Sequence, residues 1–197
     1  MLHPTTELKS INEEIGSGVF ATTFIPKGTI IWVLDALDIQ LSATQVSMLP
    51  ELLQKRVKRY GYINRHGQYI LCWDFTRYFN HSCSPTSLSV NDGMDVAVRD
   101  IQQGEQITCD YGILNYIDME CHCGSPNCRK IIKATDCNDY CDIWDKEIED
   151  AWRIGNTVNQ PLLPVAEMNP NNSALLKDLA AGTCDGMLSS RMFKFNN

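Results

Sequence analysis

The sequence predicts a mainly β fold with short helices, of the α+β class. Three observations lead there. Short runs rich in Val, Ile, Phe and Thr alternate with Gly and Pro turns as far as residue 112, helical spacing is confined to residues 42–60 within that stretch, and a cysteine-rich segment then gives way to helical patterns. With 197 residues, 44% hydrophobic and 21% charged, the chain suits one ordinary domain with an appendage and should fold through most of its length.

In chain order, "EIGSGVFATTFIPKGTIIWVLDALDIQ" (14–40) reads as a meander of strands punctuated by Gly16, Gly18 and the Pro26-Lys27-Gly28 turn, with only about ten residues before the first strand. Ser42 with Gln45 three residues on makes a capping-box pattern. Pro50 interrupts, and "ELLQKRVKRY" then places Leu52, Leu53, Val57 and Tyr60 at helical spacing before Gly61, so a helical insert is expected at 42–60. Hairpins are expected around His66-Gly67 and Asn91-Asp92-Gly93, and "IQQGEQITCDYG" gives a turn at Gly104 and one more strand. Further on, "DIWDKEIEDAWRIG" (142–155) sets Ile143, Trp144, Ile148, Ala151 and Trp152 toward one helical face. After a loop-like stretch, "SALLKDLAAG" forms a last short helix ending near Gly182.

Charge and composition narrow the function. There are 24 acidic and 17 basic residues, for a net charge of −7, and "QKRVKRYG" (54–61), the only basic cluster, reads as a solvated helix face. Basic peptides are therefore expected partners and direct nucleic-acid binding is not. No apolar run approaches the roughly 20 residues of a membrane span, and the N-terminus lacks a signal-like apolar core, so no membrane association is expected and the expected location is intracellular, with nucleus or cytoplasm open. Five of nine cysteines crowd into residues 121–141, which fits thiols kept reduced for metal better than a disulfide framework.

Four motifs carry chemistry. "CHCGSPNC" spaces Cys121, Cys123 and Cys128 as C-x-C-x4-C around a polar turn, three soft ligands of a tetrahedral zinc site whose fourth could be Cys83, Cys137, Cys141 or His122. "GSGVFA" (16–21) lacks the third glycine and following helix of a dinucleotide fingerprint, but offers backbone that a ligand can approach closely. "RYFNHSCSPTS" (77–87) sets Asn80, His81 and Cys83 together, and in "GEQITCDYG" (104–112) a strand ends at Asp110-Tyr111-Gly112.

Together and in this order, "GSGVFA", "RYFNHSCSP", "GEQITCDYG" and "CHCGSPNC" resemble the signature of SET-domain protein lysine methyltransferases with a post-SET zinc segment, over about residues 8–131. The resemblance implies a SET-domain fold of small β-sheets with a pseudoknot: a catalytic domain at 1–115, a zinc segment at 116–131 and a helical C-terminal extension at 132–197. It implies S-adenosylmethionine lying along Gly16, Ser17, Gly18, Val19 and Phe20, in a pocket completed by Arg77, Tyr78, Asn80 and His81, with His122 on the adenine side. Tyr111 would be the catalytic tyrosine, Tyr62 a second channel tyrosine and Tyr116 a residue of the channel mouth. A structural Zn2+ would sit on Cys83, Cys121, Cys123 and Cys128. The implied substrate is a lysine in a histone tail or another basic protein, and the rival function is a catalytically silent, zinc-containing protein-interaction module; intact Tyr111, Asn80 and His81 favour activity. The sequence departs from the pattern at Cys109, where the family often carries Phe or Tyr that limits the number of methyls, and at Thr86, where Asn is commoner.

Overall fold

The computed structural model describes residues 1–114, 118–187 and 189–190. Strands β1 (Thr6–Asn12) and β2 (Gly16–Ala21) pair antiparallel. Next come β3 (Ile30–Val33) and β4 (Ile39–Ser42), then the insert helices α1 (Ala43–Ser47) and α2 (Glu51–Tyr60). The hairpin of β5 (Tyr62–Ile63) and β6 (Gln68–Leu71) precedes β7 (Asn80–His81), and β8 (Ser87–Val90) turns back into β9 (Met94–Ala97). Strand β10 (Gln106–Cys109) leads into the Asp110-Tyr111 segment. After it come β11 (Met119–Glu120), β12 (Ile131–Ile132), α3 (Cys137–Trp152), α4 (Leu163–Ala166) and α5 (Ser173–Ala181).

The strands form four small sheets, in the orders β1-β2-β10-β7, β3-β9-β8, β4-β6-β5 and β11-β12. Local chemistry explains most boundaries. The Ser42 hydroxyl accepts from the Gln45 N–H at 3.1 Å while the Gln45 side chain accepts from the Ser42 N–H at 2.8 Å, which closes the capping box that starts α1. In the β8–β9 turn the left-handed positions are Asn91 (φ 49°) and Asp92 (φ 63°), two residue types that tolerate that region, rather than Gly93. Strand β1 occupies the residues expected to precede the first strand. "TELKSIN" has no apolar run, because it is a sheet edge half open to solvent and is held by its backbone ladder to β2.

Helix α3 begins five residues earlier than the apolar pattern suggested, and it is not an appendage. Cys137, Cys141, Trp144, Ile148, Ala151 and Trp152 form its buried stripe, which joins Val33, Leu88, Val90, Met94 and Val96 of the β3-β9-β8 sheet in one core with Leu175 and Leu179 of α5. Ile143, expected on that face, points outward and is 53% exposed. The Pro26-Lys27-Gly28 turn presses against the end of this helix: a Cβ on Gly28 would lie 2.8 Å from the Ala151 carbonyl oxygen. A second core, including Val19, Ile25, Ile31, Phe79, Ile101 and Ile107, lies under the sheet that carries the motifs. Among the described residues no helix is long and apolar enough to cross a membrane.

Candidate active site and thiolate cluster

Strand β10 brings three distant motifs together. It pairs antiparallel with β2, Ile107 opposite Val19, and parallel with β7, Thr108 opposite Asn80 and Cys109 opposite His81. The Asn80 side-chain amide donates to the Ser17 carbonyl at 3.0 Å. A Cβ on Gly18 would fall 2.6 Å from Gln106 Nε2, 2.8 Å from Ile11 Cδ1 and 3.0 Å from Asn80 Nδ2, so glycine lets these three side chains converge where any other residue would push them aside. Gly16, at φ +86°, has open space where a Cβ would be. Val19 turns its side chain into the core and its backbone lies in the ladder between Leu8 and Ile107, and Phe20 is half-buried beneath Lys9.

His81 fixes the neighbouring Tyr111. Its Nδ1 accepts from the Tyr111 N–H at 3.1 Å, and its Nε2 lies 3.2 Å from Cys83 Sγ. Burial drives its pKa down to about 4, outweighing the pull of Asp110, so the ring is neutral near pH 7. With Nδ1 accepting, the remaining proton sits on Nε2 and is donated to the Cys83 sulfur. The Tyr111 hydroxyl donates to the Phe79 carbonyl at 2.6 Å.

Tyr111 and Tyr62 line one cavity of about 270 Å³, with Trp32, Tyr60, Phe79 and Cys109 among its walls. The Tyr62 hydroxyl is buried without a hydrogen-bond partner among the described residues, and burial holds its pKa well above the usual phenol range. Arg77 also borders this cavity but donates to the carbonyls of Asp74 and Trp73, and Tyr78 stacks edge-on against Tyr60. His122 is exposed, 3.6 Å from Glu120 and apart from the motif sheet, and Tyr116 lies outside the described residues.

The thiols form a second constellation. Cys83 Sγ is 3.8 Å from Cys121 Sγ, Cys128 Sγ is 3.6 Å from Cys121 Sγ, and the Cys123 sulfur accepts from the Cys83 N–H at 3.5 Å. Four thiolates around a zinc at about 2.3 Å have edges of about 3.8 Å, so the spacing suits that ion. His81, Cys83, Cys121 and Cys123 also hold donor atoms within 4.8 Å of one another. The His81 ring, however, already accepts through Nδ1 and could ligate through Nε2 only as an imidazolate; its natural place is behind Cys83, donating to a ligand sulfur. Cys137 and Cys141 are joined to each other as a disulfide, fully buried on α3, which removes both as ligand candidates.

An ionic network locks this segment to the site. Arg129, 8% exposed, pairs with Asp110 and, at 3.2 Å, with Asp136; Asp110 also accepts from the Gly112 N–H and from Trp144 Nε1, and Cys83 Sγ accepts from the Arg129 N–H at 3.3 Å. Sequence reasoning missed Arg129, Asp136 and the cavity residues Trp32, Asp92 and Asp95. Only Asp95 left a signal, a carboxylate amid the apolar pattern of "MDVAV".

A family model for the SET domain matches residues 16–112. Residues 16–112 are thus a SET domain. The histone-lysine N-methyltransferase Set2 of Drosophila melanogaster is 29% identical over 131 residues, covering 59% of this chain and 6% of its own length. The histone-lysine N-methyltransferase ASHH3 of Arabidopsis thaliana is 38% identical over 63 residues, covering 28% and 17%. The matched SET-domain region thus spans less than a fifth of either relative. Among solved structures, KRYPTONITE in complex with mCHH DNA, an H3(1-15) peptide and SAH aligns with a TM-score of 0.47 and 20% identity, over 66% of this chain and 30% of that one.

Proposed function

We propose that this chain is an S-adenosylmethionine-dependent protein-lysine N-methyltransferase acting on a histone tail or another basic protein. The observation that carries this function is the β2-β10-β7 sheet, which sets the crowded Gly18 backbone and Asn80 at one place and Tyr111, at the wall of an aromatic cavity, at the end of the same strand. S-adenosylmethionine, when bound, supplies a methyl made electrophilic by its sulfonium. Backbone of Gly16 to Phe20, with Asn80 and the 77–81 segment, would hold it; His122 would approach it only from the exposed cysteine segment.

The cavity receives the lysine side chain between its aromatic walls. Tyr111 is not cast as the base, because its hydroxyl proton is engaged by the Phe79 carbonyl. Its hydroxyl and ring instead orient the lysine nitrogen, and the His81 and Phe79 contacts keep that tyrosine in place. Cys83, Cys121, Cys123 and Cys128 would hold a structural zinc that ties the cysteine segment beside this site. The number of methyls added stays with Cys109, whose small side chain leaves room at the wall.

The test is transfer of labelled methyl to histones and to lysate proteins. Wild-type protein labels lysine, and Tyr111→Phe lowers the rate about 100-fold or more with an unchanged melting temperature. A folded, zinc-loaded protein that labels nothing would instead be the silent interaction module.

A further inference from the structure

The cavity that holds Tyr62 and Tyr111 also contains two carboxylates that the proposed reaction does not use. Asp95, on β9, is 5% exposed, and its Oδ1 accepts from Ser89 Oγ at 2.7 Å; Asp92, in the β8–β9 turn, accepts from the Arg65 N–H at 2.9 Å. Neither forms an ion pair among the described residues. Lys58, Arg59, Arg65 and Arg77 border the same cavity; Lys58 and Arg59 are exposed, with Arg59 over the Tyr60 ring, the Arg65 and Arg77 side chains donate to His66 and to backbone carbonyls, and the Arg65 charge favours the Asp92 carboxylate. Buried carboxylates are normally paired, because desolvating an unpaired charge is expensive.

Other groups at the same cavity lack partners. Tyr62 OH and Trp32 Nε1 are buried and unpartnered among the described residues, and Trp32 is 4% exposed. The walls are aromatic: Trp32, Tyr62, Phe79 and Tyr111. Carboxylates beside aromatic faces and a hydroxyl able to accept are the parts of an ammonium site, in which the charge meets carboxylate, the N–H groups find acceptors and the ring faces supply a further attraction.

We propose that Asp95, with Asp92 beside it, is a specificity-determining pair that receives the target lysine as its ammonium ion, an assignment that rests on the methyl-transfer function proposed above. The pair selects a long cationic side chain before transfer begins. It acts on binding: removing its charge raises KM more than it lowers kcat.

The probes are n-butylammonium, which reproduces the end of a lysine side chain, and n-butanol, of similar size without the charge, titrated by NMR in the absence of methyl donor so that no sulfonium competes. Wild-type protein is expected to bind butylammonium about tenfold or more tighter than butanol, and Asp95→Asn to bring that ratio close to unity. Asp92→Asn should reduce it as well, and asparagine is at ease at the left-handed turn position, so this variant keeps the test open if Asp95→Asn does not fold. A ratio unchanged in the variants, or near unity in wild type, overturns the assignment. Charge-dependent binding in a protein that methylates nothing would leave the ammonium site standing and remove methyl transfer.

Discussion

The motif sheet and the cysteine segment touch, yet different forces hold them. Strands β2, β10 and β7 are joined by backbone ladders over a core in which Val19 and Ile107 are fully buried. The segment around Cys121 to Cys128 has two residue pairs of β11–β12, a cluster of sulfurs, and the Arg129 contacts with Asp110 and Asp136. Apolar burial is insensitive to metal and redox state, whereas thiolates held close together repel unless a cation or protons lie between them. The site thus joins a region held by apolar burial and backbone ladders to one held by two ladder pairs, an ionic network and clustered sulfurs.

The sharpest way to break this contrast is to remove the metal that the thiolates would hold. Chelation, or Cys128→Ser, is expected to lower the opening free energy of residues 119–132 by about 5 kcal/mol or more while the amides of β2 and β10 keep their protection, read by hydrogen exchange. Equal loss in both regions would mean that they open as one unit and that the distinction is false.

A smaller effect concerns the charge buried in the cavity. Burial raises the Asp95 carboxyl to about 6, with Asp92 adding to it and the Ser89 hydrogen bond opposing it. Between the unfolded value near 3.8 and about 6 the native state holds more protons than the unfolded chain, so the stability associated with this group is present at low pH and is lost as pH rises through about 6. Asp95→Asn, which cannot ionise, should then be more stable than wild type by on the order of 3 kcal/mol near pH 7, with the gain gone near pH 4. Denaturant melts at the two pH values measure it. A gain that persists at low pH would point to packing rather than charge.

Legibility in the sequence followed the same divide. The β2 and β10 strands and the insert could be read because strand-forming runs, turn glycines and a capping box are local signals, whereas the 77–87 stretch was legible only through its resemblance to a family motif. The C-x-C-x4-C spacing was equally local. Strand β1 could not be read, because an edge strand needs only its partner's backbone. Nor could the Arg129–Asp110–Asp136 network, since it depends on the fold bringing together residues from different segments; Arg129 in particular looks like any charge following a cysteine loop. In Ile143 the helical pattern was right and the face was off by one residue, because periodicity gives a stripe but not the rotation at which it docks.

The smallest prediction tests whether the insert belongs with either region. Ser42 caps α1 through a reciprocal pair of exposed hydrogen bonds, on β4, in a sheet separate from the motif strands. Ser42→Ala removes the acceptor for the Gln45 N–H but leaves water able to replace it, so the cost should be about 1 kcal/mol. Exchange should rise in α1, with methyl transfer and zinc content unchanged. The insert nevertheless leads through α2 to Tyr60 and Tyr62, two walls of the cavity. If the same substitution raises KM for a protein substrate while leaving kcat alone, the insert sets the position of those tyrosines, and the site must be counted as resting on three regions rather than two.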